Sequence, residues 1–85
     1  MKIIYTPRFA RSYKKLTSEL KERAKEREGI FRENPFDSRL KTHKLNGNLD
    51  EFYSFSIDSK HRIIFEMLKD CVYYFHLVGD HDIYE

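Results

Sequence analysis

Three strand-like runs follow one another in the second half of the chain, and this feature most limits the possible folds. The runs are residues 52–57, 61–68 and 71–78. The first alternates between two faces, with Tyr53, Phe55 and Ile57 on one side and serines on the other. Short polar turns at residues 58–60 and 69–70 separate the runs. This pattern predicts a three-strand antiparallel meander.

The beginning of the chain predicts a strand followed by a helix. Residues 2–5 contain the β-branched pair Ile3-Ile4. Thr6 and Pro7 then suit the N-cap and the first helical position. Apolar residues recur at helical spacing after them, at Phe9, Tyr13 and Leu16.

A second helix is predicted at about residues 19–33, with Thr17-Ser18 as its start signal. Asn34-Pro35 ends it, because a residue that precedes proline avoids the helical region. Two adjacent helices of this kind form an antiparallel hairpin. Residues 35–51 form a polar connector to the meander.

The order of these elements predicts the fold class, an α+β domain. The N-terminal strand and helical hairpin should pack on one face of a small antiparallel β-sheet. The 85 residues suit one domain, residues 1–85. The predicted shared core consists of Phe9, Tyr13, Leu16, Leu20, Phe31 and Phe55.

Composition and charge exclude several classes of function. No apolar run approaches the roughly 18 residues of a membrane span, and the N-terminus does not resemble a signal peptide. The single cysteine, Cys71, rules out an internal disulfide and a cysteine-rich zinc site. An intracellular, cytoplasmic protein is therefore expected. Residues 2–33 hold ten Lys/Arg against five Glu, which hints at an acidic or polyanionic partner.

The histidines and one strand arginine are the candidates for chemistry. His43, His61, His76 and His81 show no helical i, i+4 pair, so no metal site is expected. Arg62 lies on an apolar strand, where it must either pair with an acid such as Glu66 or line a polar cleft.

A hairpin with its turn at residues 69–70 would fix the faces of the last two strands. In that register Ile63 lies opposite His76 and Arg62 lies opposite Leu77. His76 is then a packed structural histidine on the face opposite to Arg62. His81, just beyond the last strand, is a histidine that can be exposed and titratable.

The whole layout resembles the RelE/ParE superfamily of toxins from type II toxin–antitoxin pairs, and most of all its YafQ and YoeB branches. The resemblance covers nearly the whole chain. Its segments are the first strand and helical hairpin, the connector Leu40-Lys41-Thr42-His43-Lys44-Leu45-Asn46-Gly47, the strand His61-Arg62-Ile63-Ile64-Phe65-Glu66 and the tail Val78-Gly79-Asp80-His81-Asp82-Ile83-Tyr84.

The resemblance implies a ribosome-dependent endoribonuclease that cuts mRNA by acid/base chemistry, without metal or cofactor. Arg62 matches the arginine that stabilises phosphate charge, and His81 matches the C-terminal general acid/base. Tyr84 lies near the terminal aromatic that orients a base, and His43 matches a connector histidine of the YafQ branch.

The resemblance also implies partners and RNA contacts. The partners are a cognate antitoxin, mRNA and the ribosome, with no membrane. Lys41, Lys44 and Lys60 are the expected RNA-binding residues. Arg8, Arg11 and Lys15 follow helical spacing and suit an acidic helical segment of the antitoxin.

A second class of function stays open, a non-catalytic binding protein. It would be a ParE-like gyrase inhibitor or an inactive toxin relative that binds antitoxin. Ser56 stands where many members carry another arginine, and Lys60 stands where the YafQ branch has an acidic catalytic residue. His81 together with Tyr84 favours the nuclease, because ParE-type proteins need no terminal histidine.

Overall fold

A computed structural model describes residues 1–46 and 51–80 of the chain. In that part, β1 leads into two helices, a 3₁₀ turn and four further strands. Their bounds are β1 Lys2–Tyr5, α1 Pro7–Lys14, α2 Ser18–Glu33, the 3₁₀ turn Ser38–Leu40, β2 His43–Lys44, β3 Tyr53–Ser56, β4 His61–Met67 and β5 Val72–Asp80. The predicted helices and strands are present, and the α+β class is confirmed. No helix among these residues is long and apolar enough to cross a membrane.

The sheet is mixed, in the order β1-β5-β4-β3-β2. Three successive antiparallel pairs run from β2 to β5, as the meander predicts. β1, however, pairs with β5 in parallel, with Lys2 opposite Val72. The helical hairpin carries the chain from β1 across the sheet to the far edge, and the meander returns it beside β1. The prediction that the N-terminal strand packs on one face of an antiparallel sheet is therefore wrong: β1 is a strand of the sheet itself and makes one edge of it parallel.

Both helices begin where the sequence predicts. The Thr6 and Thr17 hydroxyls accept hydrogen bonds from the backbone N–H of Phe9 at 3.1 Å and of Leu20 at 3.2 Å. These N-caps satisfy backbone donors that have no partner in a first helical turn. α2 ends at Glu33, and Asn34 adopts an extended conformation before Pro35.

The core lies between the helices and one face of the sheet, and Phe31 is at its centre. This side chain is fully buried. Its ring lies 4.9 Å from the rings of Phe55 and Phe65 and 5.2 Å from those of Tyr73 and Phe75. Of the predicted core residues, Phe9, Phe31 and Phe55 are buried, and Tyr13 and Leu16 pack against them partly exposed. Leu20 is only half-buried and lies outside the cluster.

The β4–β5 connection is one residue longer than predicted. Met67 lies opposite Tyr73, and the N–H of Leu68 donates to the carbonyl of Val72 at 2.8 Å, so residues 69–71 connect the strands. Within them, Asp70 and Cys71 both have φ 59°, and the N–H of Val72 donates to the carbonyl of Lys69 at 3.3 Å. Positive φ at both central positions of such a tight turn matches the twist of the flanking strands.

A register shift between Ile64 and Phe65 adds a second displacement, and it leaves His76 as the extra residue of a β-bulge. Arg62 therefore lies opposite Gly79, not Leu77, and Ile63 lies opposite Val78, not His76.

The bulge also changes the face on which His76 lies. Its Nε2 is 3.0 Å from Glu66 Oε1, and its ring contacts Phe52 and Tyr74. Glu66 and Arg62 occupy alternate positions of one regular strand, so they share the sheet face away from the helices. The prediction that His76 and Arg62 point to opposite faces is wrong, although His76 is packed as expected.

Candidate functional site: a cationic cleft around Arg62

The second residue of β4, Arg62, lies on the open face of the sheet between two small neighbours. Ser56 is opposite it on β3 and Gly79 is opposite it on β5. Neither neighbour has a side chain long enough to cover the guanidinium. The hairpin geometry thus keeps Arg62 accessible near the end of a strand whose three central residues are buried.

Arg62 lines a cleft of about 440 Å³ at the end of the sheet where β3 turns into β4. Arg62 borders it from the sheet face away from the helices, and the other walls come from α2, the 3₁₀ turn and the β3–β4 hairpin. The lining residues are Arg23, Arg27, Arg39, Lys41, Ser56, Ile57, Asp58, Ser59 and Arg62. Five of these side chains are cationic and one is a carboxylate, so the cleft is suited to an anion.

Two of the arginines are held in place by the protein itself. Arg39 donates from Nε and Nη2 to the two oxygens of Asp37, each at 2.9 Å. The Arg39 side-chain hydrogen bonds lower the pKa of Asp37 to about 2. Arg27 donates from Nη1 to the Arg39 carbonyl at 3.0 Å. These contacts orient the cationic wall before any ligand binds.

Arg62 itself is available for a ligand. Within residues 1–46 and 51–80 its guanidinium has no ion-pair partner. Glu66, the acid expected to compete for it, pairs with His76 instead. The sequence left two alternatives open for Arg62, an ion pair with an acid such as Glu66 or a place in a polar cleft. The structure shows the second.

The carboxylate of the cleft, Asp58, is occupied by its own loop. Its Oδ1 accepts from the N–H of Lys60 at 2.8 Å, from the N–H of His61 at 2.7 Å and from His61 Nδ1 at 2.9 Å. Burial raises the pKa of Asp58, but the hydrogen bonds from Lys60 and His61 outweigh it and hold the pKa below its usual value. Asp58 therefore braces the hairpin and does not neutralise Arg62.

The other predicted site residues are distributed unevenly. Lys41 shares the cleft with Arg62. It directly follows the 3₁₀ turn and has a left-handed φ of 52°. His43 lies on exposed β2 with Nδ1 3.1 Å from the Lys41 carbonyl, so it is close in sequence to the cleft but does not line it. Lys44 and Lys60 are exposed, and neither lines the cleft.

The predictions for His81 and Tyr84 lie outside the described residues. The structure does place the residue before them: Asp80 is the last residue of β5, opposite His61. The strand that leads to His81 thus runs beside the strand that carries Arg62, with Gly79 directly opposite it.

Sequence reasoning missed three cationic residues of the cleft, Arg23, Arg27 and Arg39. A signal was present, because Arg23 and Arg27 have i, i+4 spacing on α2 and therefore share a face. Their distance in sequence from Arg62 hid the connection. Among the described residues, no group of three or more His, Cys, Asp or Glu side chains could hold a metal ion.

Comparison with known proteins shows a fold shared with toxins of toxin–antitoxin pairs. No protein-family model matches the chain, and no curated protein matches it. Among solved structures, the YoeB/ParE toxin from Agrobacterium tumefaciens superposes with a TM-score of 0.81 at 18% identity, covering 95% of this chain and 99% of that one. The likeness therefore extends over the whole fold.

Two YafQ structures from Escherichia coli give the same result. YafQ alone superposes with a TM-score of 0.80 at 18% identity, covering 98% of this chain and 96% of that one. The DinJ–YafQ toxin–antitoxin complex gives 0.77 at 19% identity, covering 96% and 93%. At such identities the comparison establishes the fold, which is the RelE-like fold that the sequence predicts.

Proposed function

We propose that this protein is the toxin of a toxin–antitoxin pair and that it cleaves mRNA on the ribosome. The observation that carries the proposal is Arg62, a strand arginine without an ion-pair partner among the described residues, in a cleft with four more cationic side chains. A guanidinium binds phosphate oxygens through paired N–H donors. The fold shared with YoeB and YafQ supports the same reading.

The proposed reaction uses the ribose 2′-hydroxyl as nucleophile. Its oxygen attacks the adjacent phosphorus, and the bond from phosphorus to the 5′ oxygen breaks, which leaves a 2′,3′-cyclic phosphate. His43 and His81 supply the base for the 2′ proton and the acid for the departing 5′ oxygen. Arg62 stabilises the additional charge of the phosphorane. The side chains of this chain suffice for these steps.

The remaining predicted residues act in binding. Tyr84 orients a base of the RNA by stacking. Lys41 lies in the cleft with Arg62, and Lys44 and Lys60 extend the positive surface beyond it. A ribosome-directed activity of this kind takes place in the cytoplasm.

The proposed protein partner is a cognate antitoxin. The solved complex of DinJ with YafQ supports it, because YafQ shares this fold. Co-expression with the product of the adjacent short open reading frame should give a co-purifying complex. Failure of the two proteins to associate even at low salt would contradict this part of the proposal.

Primer extension on mRNAs after induction of the protein tests the nuclease. The parent protein should produce new 5′ ends within translated regions. Arg62→Ala should reduce cleavage about 10²–10³-fold, the usual loss when one group that stabilises transition-state charge is removed. His81→Ala should reduce it about 10²–10⁴-fold.

Arg32→Ala is the matched control. This arginine lies on α2, is about half exposed and pairs with Glu28, away from the cleft. Its removal should leave cleavage near the parent level. Growth arrest without any new mRNA ends would favour the non-catalytic alternative, and full activity of His81→Ala would remove the central acid/base from the proposal.

A further inference from the structure

A second cationic groove lies on the other side of the β3–β4 hairpin. It has a volume of about 500 Å³, and α1, the start of β4 and the end of β5 form its walls. α1 contributes Arg8 and Arg11, and the residue that follows it contributes Lys15. None of the three has an ion-pair partner within residues 1–46 and 51–80. The groove is separate from the cleft that contains Arg62, since the two share no lining residue.

His61 lines this groove, and Asp58 fixes its orientation. Nδ1 of His61 lies 2.9 Å from Oδ1 of Asp58 and 3.2 Å from Oδ2. The Asp58 carboxylate also accepts from the backbone N–H of Lys60 and His61, so it cannot turn away. An imidazole that donates from Nδ1 to a carboxylate is left with Nε2 for a second partner.

Nε2 of the imidazolium form carries a hydrogen that a phosphate oxygen can accept. Arg8, Arg11 and Lys15 beside such a donor make a site for a phosphate oxygen, because charge-assisted hydrogen bonds to phosphate are the strong ones. An acidic helix could use these three side chains alone and would need no oriented histidine.

We infer that this α1 groove binds a phosphodiester group of RNA, with His61 as the hydrogen-bond donor to a phosphate oxygen. The inference deepens the proposed function and rests on it, since it takes RNA as the ligand. It gives the protein a second phosphate subsite, at the edge of the hairpin opposite to Arg62. The two subsites would hold successive parts of one RNA backbone on either side of residues 57–60.

Cations outnumber carboxylates in the groove. Arg8 and Arg11 face it from α1, Lys15 from the residue after α1, His61 from β4 and Asp80 from β5, with Asp58 behind the ring. This balance of charge suits an anionic ligand.

The chain offers a matched control for the test. His76 also contacts a carboxylate, with Nε2 3.0 Å from Glu66, and its side chain is 27% exposed against 24% for His61. It lies on the sheet face away from the helices and does not line the groove. His61→Gln and His76→Gln thus remove the same kind of group from two places.

The experiment measures binding of a 2′-O-methylated RNA pentanucleotide, which cannot be cleaved, by fluorescence anisotropy. The parent protein and His76→Gln should bind with the same affinity. His61→Gln should bind roughly tenfold more weakly, as expected for the loss of one charge-assisted hydrogen bond. Asp58→Asn should also weaken binding, because it removes the carboxylate that orients His61.

Three results would overturn the inference. His61→Gln could bind the pentanucleotide as tightly as the parent protein, inorganic phosphate could bind as tightly as the pentanucleotide, or an acidic peptide of equal charge could bind with the same dependence on His61. A parent protein that binds the pentanucleotide through His61 but cleaves no mRNA would instead refute the nuclease and leave the groove assignment standing.

Discussion

Replacement of Phe31, the ring at the centre of the core, should cost the protein a large part of its stability. Phe31 is fully buried, and four aromatic rings lie within 5.2 Å of its centroid. Phe31→Ala removes the ring and leaves a cavity, at a cost of about 3–5 kcal/mol. A domain of 85 residues has roughly 4–13 kcal/mol in total. This variant should therefore lose between about a quarter and all of the free energy of unfolding.

Phe31→Leu keeps the prediction testable if the alanine variant does not fold. It preserves most of the buried apolar volume but loses the ring pairs, so the free energy of unfolding should fall by about 1–2 kcal/mol. Equilibrium urea unfolding measures this as a lower midpoint at an unchanged slope.

Phe36 provides the matched control, because it is 53% exposed and contacts only the edge of Tyr53 among the ring contacts of the described residues. Phe36→Leu should change stability by no more than about 0.5 kcal/mol. Equal effects of the leucine substitutions at positions 31 and 36 would refute the assignment of Phe31 to the centre of the core.

Two further predictions concern the hairpins. Cys71→Gly should raise the free energy of unfolding by roughly 0.5–1 kcal/mol, because Asp-Gly suits a turn with positive φ at both central positions. Cys71→Ala should give no such gain when both variants are measured by urea titration. Asp58 has a lowered pKa in the folded protein, so its ionised form stabilises the fold above about pH 4, and this contribution is lost as the pH falls through the folded pKa. The stability difference between the parent and Asp58→Asn should therefore narrow from pH 6 toward pH 2, and a constant difference across that range would contradict the assignment.

The parts of the fold that depend on local signals could be predicted from the sequence. The threonine caps fix the helix starts, Asn34-Pro35 fixes the end of α2, and serine–aromatic alternation fixes the inward face of β3. Registers depend on single residues and are harder to predict. A connection one residue longer than predicted and a bulge at His76 moved the partner of Arg62 two positions along β5, from Leu77 to Gly79.

The candidate site was predictable only where its residues are close in sequence or match a family pattern. Arg62 and Lys41 met the second condition and share the cleft. Arg27 and Arg39 line the same cleft from α2 and the 3₁₀ turn. A hydrogen bond from the Arg27 guanidinium to the Arg39 carbonyl holds the two segments together. The pairing of His61 with Asp58 likewise depends on the geometry of a tight loop, which residue types alone do not specify.

The parallel pairing of β1 with β5 has a consequence for how the protein is made. β1 contains residues 2–5 and its partner β5 begins at residue 72. β1 can therefore join the sheet only after β5 has been synthesised. Closing so long a loop carries an entropic cost that later contacts must repay, and non-local strand pairing folds slowly. A nascent chain that still lacks β5 can form α1 and α2, but it cannot complete the sheet. Complete folding therefore follows the synthesis of β5, and any activity that needs the finished sheet begins only then.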